Sequence, residues 1–110
     1  LLELQQLTHR VLVDTSLIDY MLTIVERTRT HESLSLGVSP RGSQALYRSA
    51  QALAVLEGRD YVIPDDIKRL ATPVFGHRVV VNSRATLALR RSDLGDRIID
   101  EILQHIDVPL

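Results

Sequence analysis

The chain has 110 residues, 45% of them hydrophobic and 25% charged, a balance typical of one globular domain. At this length roughly two-thirds of the unfolded surface leaves water on folding, enough for a core without covalent staples. The absence of cysteine excludes a disulfide scaffold, a thiolate metal site and a cysteine nucleophile, and 13 basic against 14 acidic residues, a net charge of −1, exclude a general pull toward nucleic acid or anionic lipid.

No apolar run reaches the about 18 residues of a membrane span, and no basic-then-apolar leader opens the chain, so a cytoplasmic protein is expected. The chain begins at Leu1 and its single methionine is Met21, which points to a segment of a longer protein. Leu1, Leu4 and Leu7 share one side of a predicted short helix over Leu1–Arg10, and Val11–Val13 reads as a brief extended stretch. A second helix starts at Asp14 or Ser16 as cap and ends near His31, with Leu17, Ile18, Met21, Leu22 and Val25 on its apolar stripe. Arg27 and Arg29 complement the dipole in its last turns.

Residues Glu32–Val38 read as a polar connector. Ser39-Pro40, a capping hydroxyl followed by proline at the first helical position, starts a third helix that runs to about Glu57 and is stopped by Gly58. Ala45, Leu46, Ala50, Leu53, Ala54 and Leu56 give it a wide apolar face, which predicts a central position. Tyr61-Val62-Ile63 leads into a fourth helix at Pro64, with Asp65 and Asp66 in its first turn, Ile67, Leu70 and Ala71 inward, and Pro73 as its stop. Phe75 is assigned to the core. Val79–Val81 is short and β-branched, and a two-stranded ribbon with Val11–Val13 is the expected pairing. Asn82–Arg91 reads as loop, with strand as the alternative. The last helix is capped by Ser92 or Asp93 and supported by Asp96. It carries Ile98, Ile99, Ile102, Leu103 and Ile106 and ends before Pro109. The sum is an all-α bundle of about five helices, with no internal repeat.

Arg41 breaks a local rule. The first turn of a helix exposes N–H groups carrying about half a positive charge, so a cation there costs on the order of 0.3–1 kcal/mol unless an anion is shared with it. An arginine fork beside those amides suits a phosphate, with the Ser39 hydroxyl at hand and Gly42 leaving room for close approach. The alternative is that Arg41 reaches into solvent or pairs with Glu32 or Asp14.

The stretch Leu36-Gly37-Val38-Ser39-Pro40-Arg41-Gly42-Ser43 resembles the G-x-S-P-R-A/G segment of the lid domain in MoxR-type AAA+ ATPases. The likeness continues through Ala50-Gln51-Ala52-Leu53-Ala54, Glu57-Gly58-Arg59-Asp60-Tyr61-Val62, Pro64-Asp65-Asp66-Ile67 and Phe75-Gly76-His77-Arg78. It covers about Val13 to Val81. The resemblance implies a single helical lid over residues 1–110, following an α/β nucleotide-binding core, with Arg41 as the sensor 2 residue beside Ser39 and Pro40 at the nucleotide. It further implies ATP and Mg2+ held by that core, contacts with the core and with neighbouring subunits of a hexameric ring, and a chaperone-like role in maturing other proteins, often metalloenzymes. Ile63 departs from the pattern, because a capping Ser or Thr is common there, and Asn82–Leu110 matches less distinctively. No G-x-x-x-x-G-K-[S/T] phosphate loop occurs in the chain. ATP hydrolysis is therefore expected of the longer protein and not of this segment alone.

The other candidates carry less. His9, His31, His77 and His105 are too dispersed for a helical metal pair, and Ser39, Ser43 and Ser49 lack a nucleophile elbow. Asp65 and Asp66, adjacent on a helix, diverge by about 100° and serve as first-turn acids. His77-Arg78 suits the closing of a helix end. Arg84, Arg90 and Arg91 lack interleaved aromatics and read as a solvated face. A long helix, an extended segment and Pro64-Asp65-Asp66 also suit a histone-like or other interaction module. Such a module would dimerise and bind DNA with steep salt dependence, for which the near-neutral charge is poorly suited.

Overall fold

The computed structural model describes residues 8–81 and 91–109, with backbone alone for residues 91–93. In chain order it holds α1 (Thr15–Thr30), β1 (Leu34–Leu36), α2 (Pro40–Leu56), α3 (Pro64–Phe75), β2 (Val80–Val81) and α4 (Arg91–Gln104). The helix expected over Leu1–Arg10 lies outside the described residues except at its end, where Thr8 and His9 are helical and Arg10 turns. Among the described residues the helices of the bundle therefore number four. The mostly helical class is as expected, with one small sheet.

Asp14 caps α1: its Oδ2 accepts from the Ser16 N–H at 3.0 Å and from the Ser16 hydroxyl at 2.6 Å. The buried face of α1 is Leu17, Tyr20, Met21, Ile24, Val25 and Thr28. Leu22, expected on that stripe, is 49% exposed, because the face is centred on Ile24, one position round the helix. Helix α2 lies at the centre, packed against α1 and α3, and α4 closes the bundle against α1 and α3. Ala50 and Ala54 of α2 and Ala71 of α3 are fully buried, and these two helices pack against each other. Ile24, Leu46, Ile67, Phe75 and Ile99 fill the rest of the core. Leu56, placed inward by the sequence pattern, is 74% exposed, since the buried line of α2 runs Leu46, Ala50, Ala54 at four-residue steps.

Gly58 ends α2 as expected, at φ 75°. The Gly58 N–H donates to the Val55 carbonyl at 3.0 Å and the Arg59 N–H to the Ala54 carbonyl at 2.8 Å, the pair of bonds that closes a Schellman turn. Helix α3, in contrast, passes through Pro73 and ends at Phe75. Pro73 withholds the N–H that would reach the Arg69 carbonyl, but both residues are exposed, where water can serve that acceptor. Burial of the Phe75 ring contributes about 2–3 kcal/mol and holds the last turn in place. The Gly76 N–H completes that turn by donating to the Thr72 carbonyl at 2.8 Å.

The ribbon forms with a different partner from the one expected. Val80–Val81 pairs antiparallel with Leu34–Leu36, in the register Leu34 to Val81 and Leu36 to Val80. Leu12 instead makes a parallel bridge with Tyr61: its N–H donates to the Asp60 carbonyl and its carbonyl accepts from the Val62 N–H, each at 2.9 Å. The reason lies in Glu32–Val38, read as a connector. Leu34 is buried and Ser35 and Leu36 face out, and this half-buried stretch presents the free edge that Val80–Val81 takes. The stretch expected as loop over Asn82–Arg91 lies, up to residue 90, outside the described residues, as do Arg84 and Arg90. Helix α4 begins at Arg91. Ser92 and Asp93 therefore lie inside the helix and not at its cap.

Candidate functional site

The amino end of α2 is built as the sequence implies. Ser39 is the N-cap, its hydroxyl accepting from the Gly42 N–H at 3.3 Å, and Pro40 takes the first helical position. Arg41 follows at the second position. No acid lies in this first turn, and the Arg41 side chain is exposed. Among the described residues its guanidinium meets neither Glu32 nor Asp14, nor any other carboxylate, and its backbone N–H has no acceptor. A cation and an unpaired amide thus stand together at the positive end of a 17-residue helix.

What lies behind this turn is tightly built. Val38, 1% exposed, precedes the cap. Its N–H donates to Thr28 Oγ1 at 3.0 Å, and its carbonyl accepts from Arg29 Nε at 3.1 Å. Gly37 presses on the backbone of Arg29, where a Cβ would come within 2.8 Å of its Cα. Gly42, expected to leave room for a ligand, is filled from inside instead. A Cβ there would lie 2.6 Å from Val38 Cγ1 and 3.4 Å from Cδ of Arg78. The stem of Arg78 therefore crosses the same helix end, and its guanidinium, like that of Arg41, has no acidic partner among the described residues. The Arg78 N–H also closes the end of α3, donating to the Phe75 carbonyl at 2.9 Å.

A second polar cluster joins α2 to α3. Arg59 grips Asp66 with both arms, Nη1 to Oδ2 at 2.8 Å and Nη2 to Oδ1 at 2.7 Å, and Nη1 also donates to the Tyr61 carbonyl at 2.9 Å. Its guanidinium lies 5.9 Å from the centre of the Tyr61 ring. The Asp66 side chain is 1% exposed and accepts the Ile63 N–H at 2.9 Å, which starts α3 without the missing capping hydroxyl. Burial would raise the Asp66 pKa, but the Arg59 bonds, the Ile63 N–H and the charges of Arg59 and Arg69 outweigh it and hold it below the ordinary carboxylate value. Glu57 is likewise lowered, by its bonds to Arg69 and Arg59. Sequence reasoning placed Asp66 as a first-turn acid and missed Arg59 as its partner. The signal was present, since Arg59 and Asp66 both fall within the segments that carry the family likeness. The cluster is saturated internally and serves as a brace.

The histidines form no metal cluster among the described residues, although His31 and His105 line one small cavity with Glu101. His9 lies against Arg48, His31 accepts from the Ser33 N–H and sits 3.8 Å from Glu101, and His77 and His105 are exposed. Among the described residues no three metal-ligating side chains converge, and no helix is long and apolar enough to cross a membrane.

Comparison with known proteins accords with this geometry. The AAA lid domain family matches residues 26–102. The chain is 43% identical over 107 residues to the uncharacterized protein YeaC of Bacillus subtilis strain 168, covering 97% of this chain and 32% of that protein. It is 33% identical over 118 residues to chaperone MoxR1 of Mycobacterium tuberculosis, covering 99% and 30% respectively. A crystal structure of a candidate ATPase from Cytophaga hutchinsonii superposes with a TM-score of 0.85 at 28% identity, over 96% of this chain and 34% of that one. The chain thus spans about a third of the length of these relatives. The stretch around Pro64 that also suited a histone-like module is thereby assigned, and the chain belongs to the AAA lid domain family, as a lid of the MoxR type.

Proposed function

We propose that this lid covers the nucleotide of a MoxR-type AAA+ ATPase and that Arg41 is its sensor 2 residue, with Ser39 and Pro40 shaping the turn that presents it. The observation that carries the reading is a guanidinium beside a backbone amide at the start of α2, both without a partner among the described residues. Such a pair matches a terminal phosphate in charge and in donor geometry. ATP supplies that phosphate, and Mg2+ with the remaining phosphate contacts belongs to a nucleotide-binding core outside this chain. Phosphoryl transfer depends mainly on positioning and charge stabilisation, and an arginine carried on a separate folded unit provides both. Loss of the terminal phosphate removes the partner of Arg41 and frees the lid to turn. By the same reading the whole protein works in the cytoplasm as a hexameric ring, its lids touching their own cores and the neighbouring subunits. Its task is chaperone-like maturation of client proteins, metalloenzymes among them.

Replacing Arg41 with alanine in the full-length protein tests the assignment. ATP turnover is expected to fall by about a hundredfold, the scale of losing one transition-state donor, with the thermal melt unchanged. Turnover equal to the wild type would overturn it.

A further inference from the structure

We propose that Thr28 and Arg29, in the last turn of α1, are positioning residues for Arg41. The inference rests on the reading of Arg41 given above and adds the device that aims it. Val38 stands three residues before Arg41, and both its backbone polar groups are held by α1. The Thr28 hydroxyl accepts the Val38 N–H at 3.0 Å and donates its own proton to the Val25 carbonyl at 2.6 Å, which fixes the rotamer of a side chain only 1% exposed. Arg29 Nε donates to the Val38 carbonyl at 3.1 Å. Gly37 lies against the Arg29 backbone, too close for any side chain, and the Val38 side chain is wedged under Gly42.

The chain between Val38 and Arg41 has little freedom left. Ser39 is committed to the cap and Pro40 has a fixed φ, so the direction of the first turn of α2 follows from the orientation of the Val38 peptide groups. Those groups take their orientation from α1 and not from their own segment. A loop needing only stability would be served by any two partners. Here the partners are consecutive residues of one helix turn, gripping the donor and the acceptor of one residue, so that any shift of α1 carries Arg41 with it. Arg29, expected only to complement the helix dipole, thus gains a directional bond to a specific carbonyl.

The test uses ATP turnover by the full-length protein with Thr28→Val, Thr28→Ser and Arg29→Met, each made alone and in an Arg41→Ala background. Thr28→Val removes the hydroxyl at constant volume. Thr28→Ser restores it, and Arg29→Met keeps the stem without the Nε donor. Alone, Thr28→Val and Arg29→Met are expected to lower kcat by about tenfold, the cost of a modest misplacement of a catalytic group, while Thr28→Ser retains wild-type turnover. In the Arg41→Ala background none of the three is expected to lower turnover further, because what they aim is already gone. Should Thr28→Val fail to fold, Arg29→Met at the exposed end of the clamp carries the same comparison. Losses that add to that of Arg41→Ala overturn the inference and leave a purely structural clamp. Wild-type kcat in Thr28→Val and Arg29→Met, with Arg41→Ala impaired, overturns it while sparing the function of Arg41. Wild-type turnover in Arg41→Ala itself removes both readings together.

Discussion

Asp66 carries the most concentrated polar stabilisation in the described chain, with the two Arg59 arms and the Ile63 N–H meeting on one buried carboxylate. Removing one partner of such a pair costs about 3 kcal/mol, because the other charge is left without compensation, so Asp66→Asn is expected to lose that much in a denaturant titration. The pH dependence follows from the sign of the shift. The folded-state pKa is depressed, so the stabilisation is complete above the ordinary carboxylate value and is lost as pH falls below about 4 and through the folded value. An acid titration followed by circular dichroism should therefore show unfolding in that range, with a shallower slope in Asp66→Asn. Tyr20 presents the opposite case. It is 3% exposed, its hydroxyl has no hydrogen-bond partner among the described residues, and burial raises its pKa. Tyr20→Phe removes a desolvated group that gains nothing in return, and a thermal melt should show stability unchanged or raised by up to about 1 kcal/mol.

The elements are held by backbone proximity as much as by side-chain burial. A Cβ at Gly95 in α4 would collide with the carbonyl of Gly76, at the end of α3, and one at Gly76 would strike the Asp96 carboxylate. Thr72 and Asp100 tie the same two helices by a hydrogen bond. Gly95→Ala, a gain in helix propensity, is therefore expected to destabilise by about 2 kcal/mol in chemical denaturation, since overpacking outweighs propensity. Contacts of this long-range kind leave no local mark in the sequence. The starts and ends of α1, α2 and the start of α3 were legible because Asp14, Ser39-Pro40, Gly58 and Pro64 act locally, through caps and fixed dihedrals. The stop assigned to Pro73, the ribbon partner of Val80–Val81 and the outward turn of Leu22 and Leu56 were not, because distant burial and pairing decide them. The candidate site divides in the same way. Arg41 was legible as a breach of dipole logic, whereas the Thr28 and Arg29 grip on Val38 spans nine to ten positions and leaves no periodic trace.

For the whole molecule, the decisive property is that the proposed site would offer only one face of a phosphate pocket. A cation and an amide on a surface make too few bonds to hold a nucleotide in water, where each exposed ion pair is worth under about 1 kcal/mol. Calorimetric titration of this segment alone with ATP should thus give no affinity in the micromolar range. A micromolar site on it would contradict the proposed division of labour between lid and core. The keying of Gly76 against Gly95 has a bearing on how such a protein moves. Two rods meshed peptide to peptide resist sliding and swivelling past one another, so this pair is poorly suited to act as a joint. In the proposed ATPase cycle any swing of the lid is therefore expected outside this helix pair, at a joint between the lid and the proposed nucleotide-binding core.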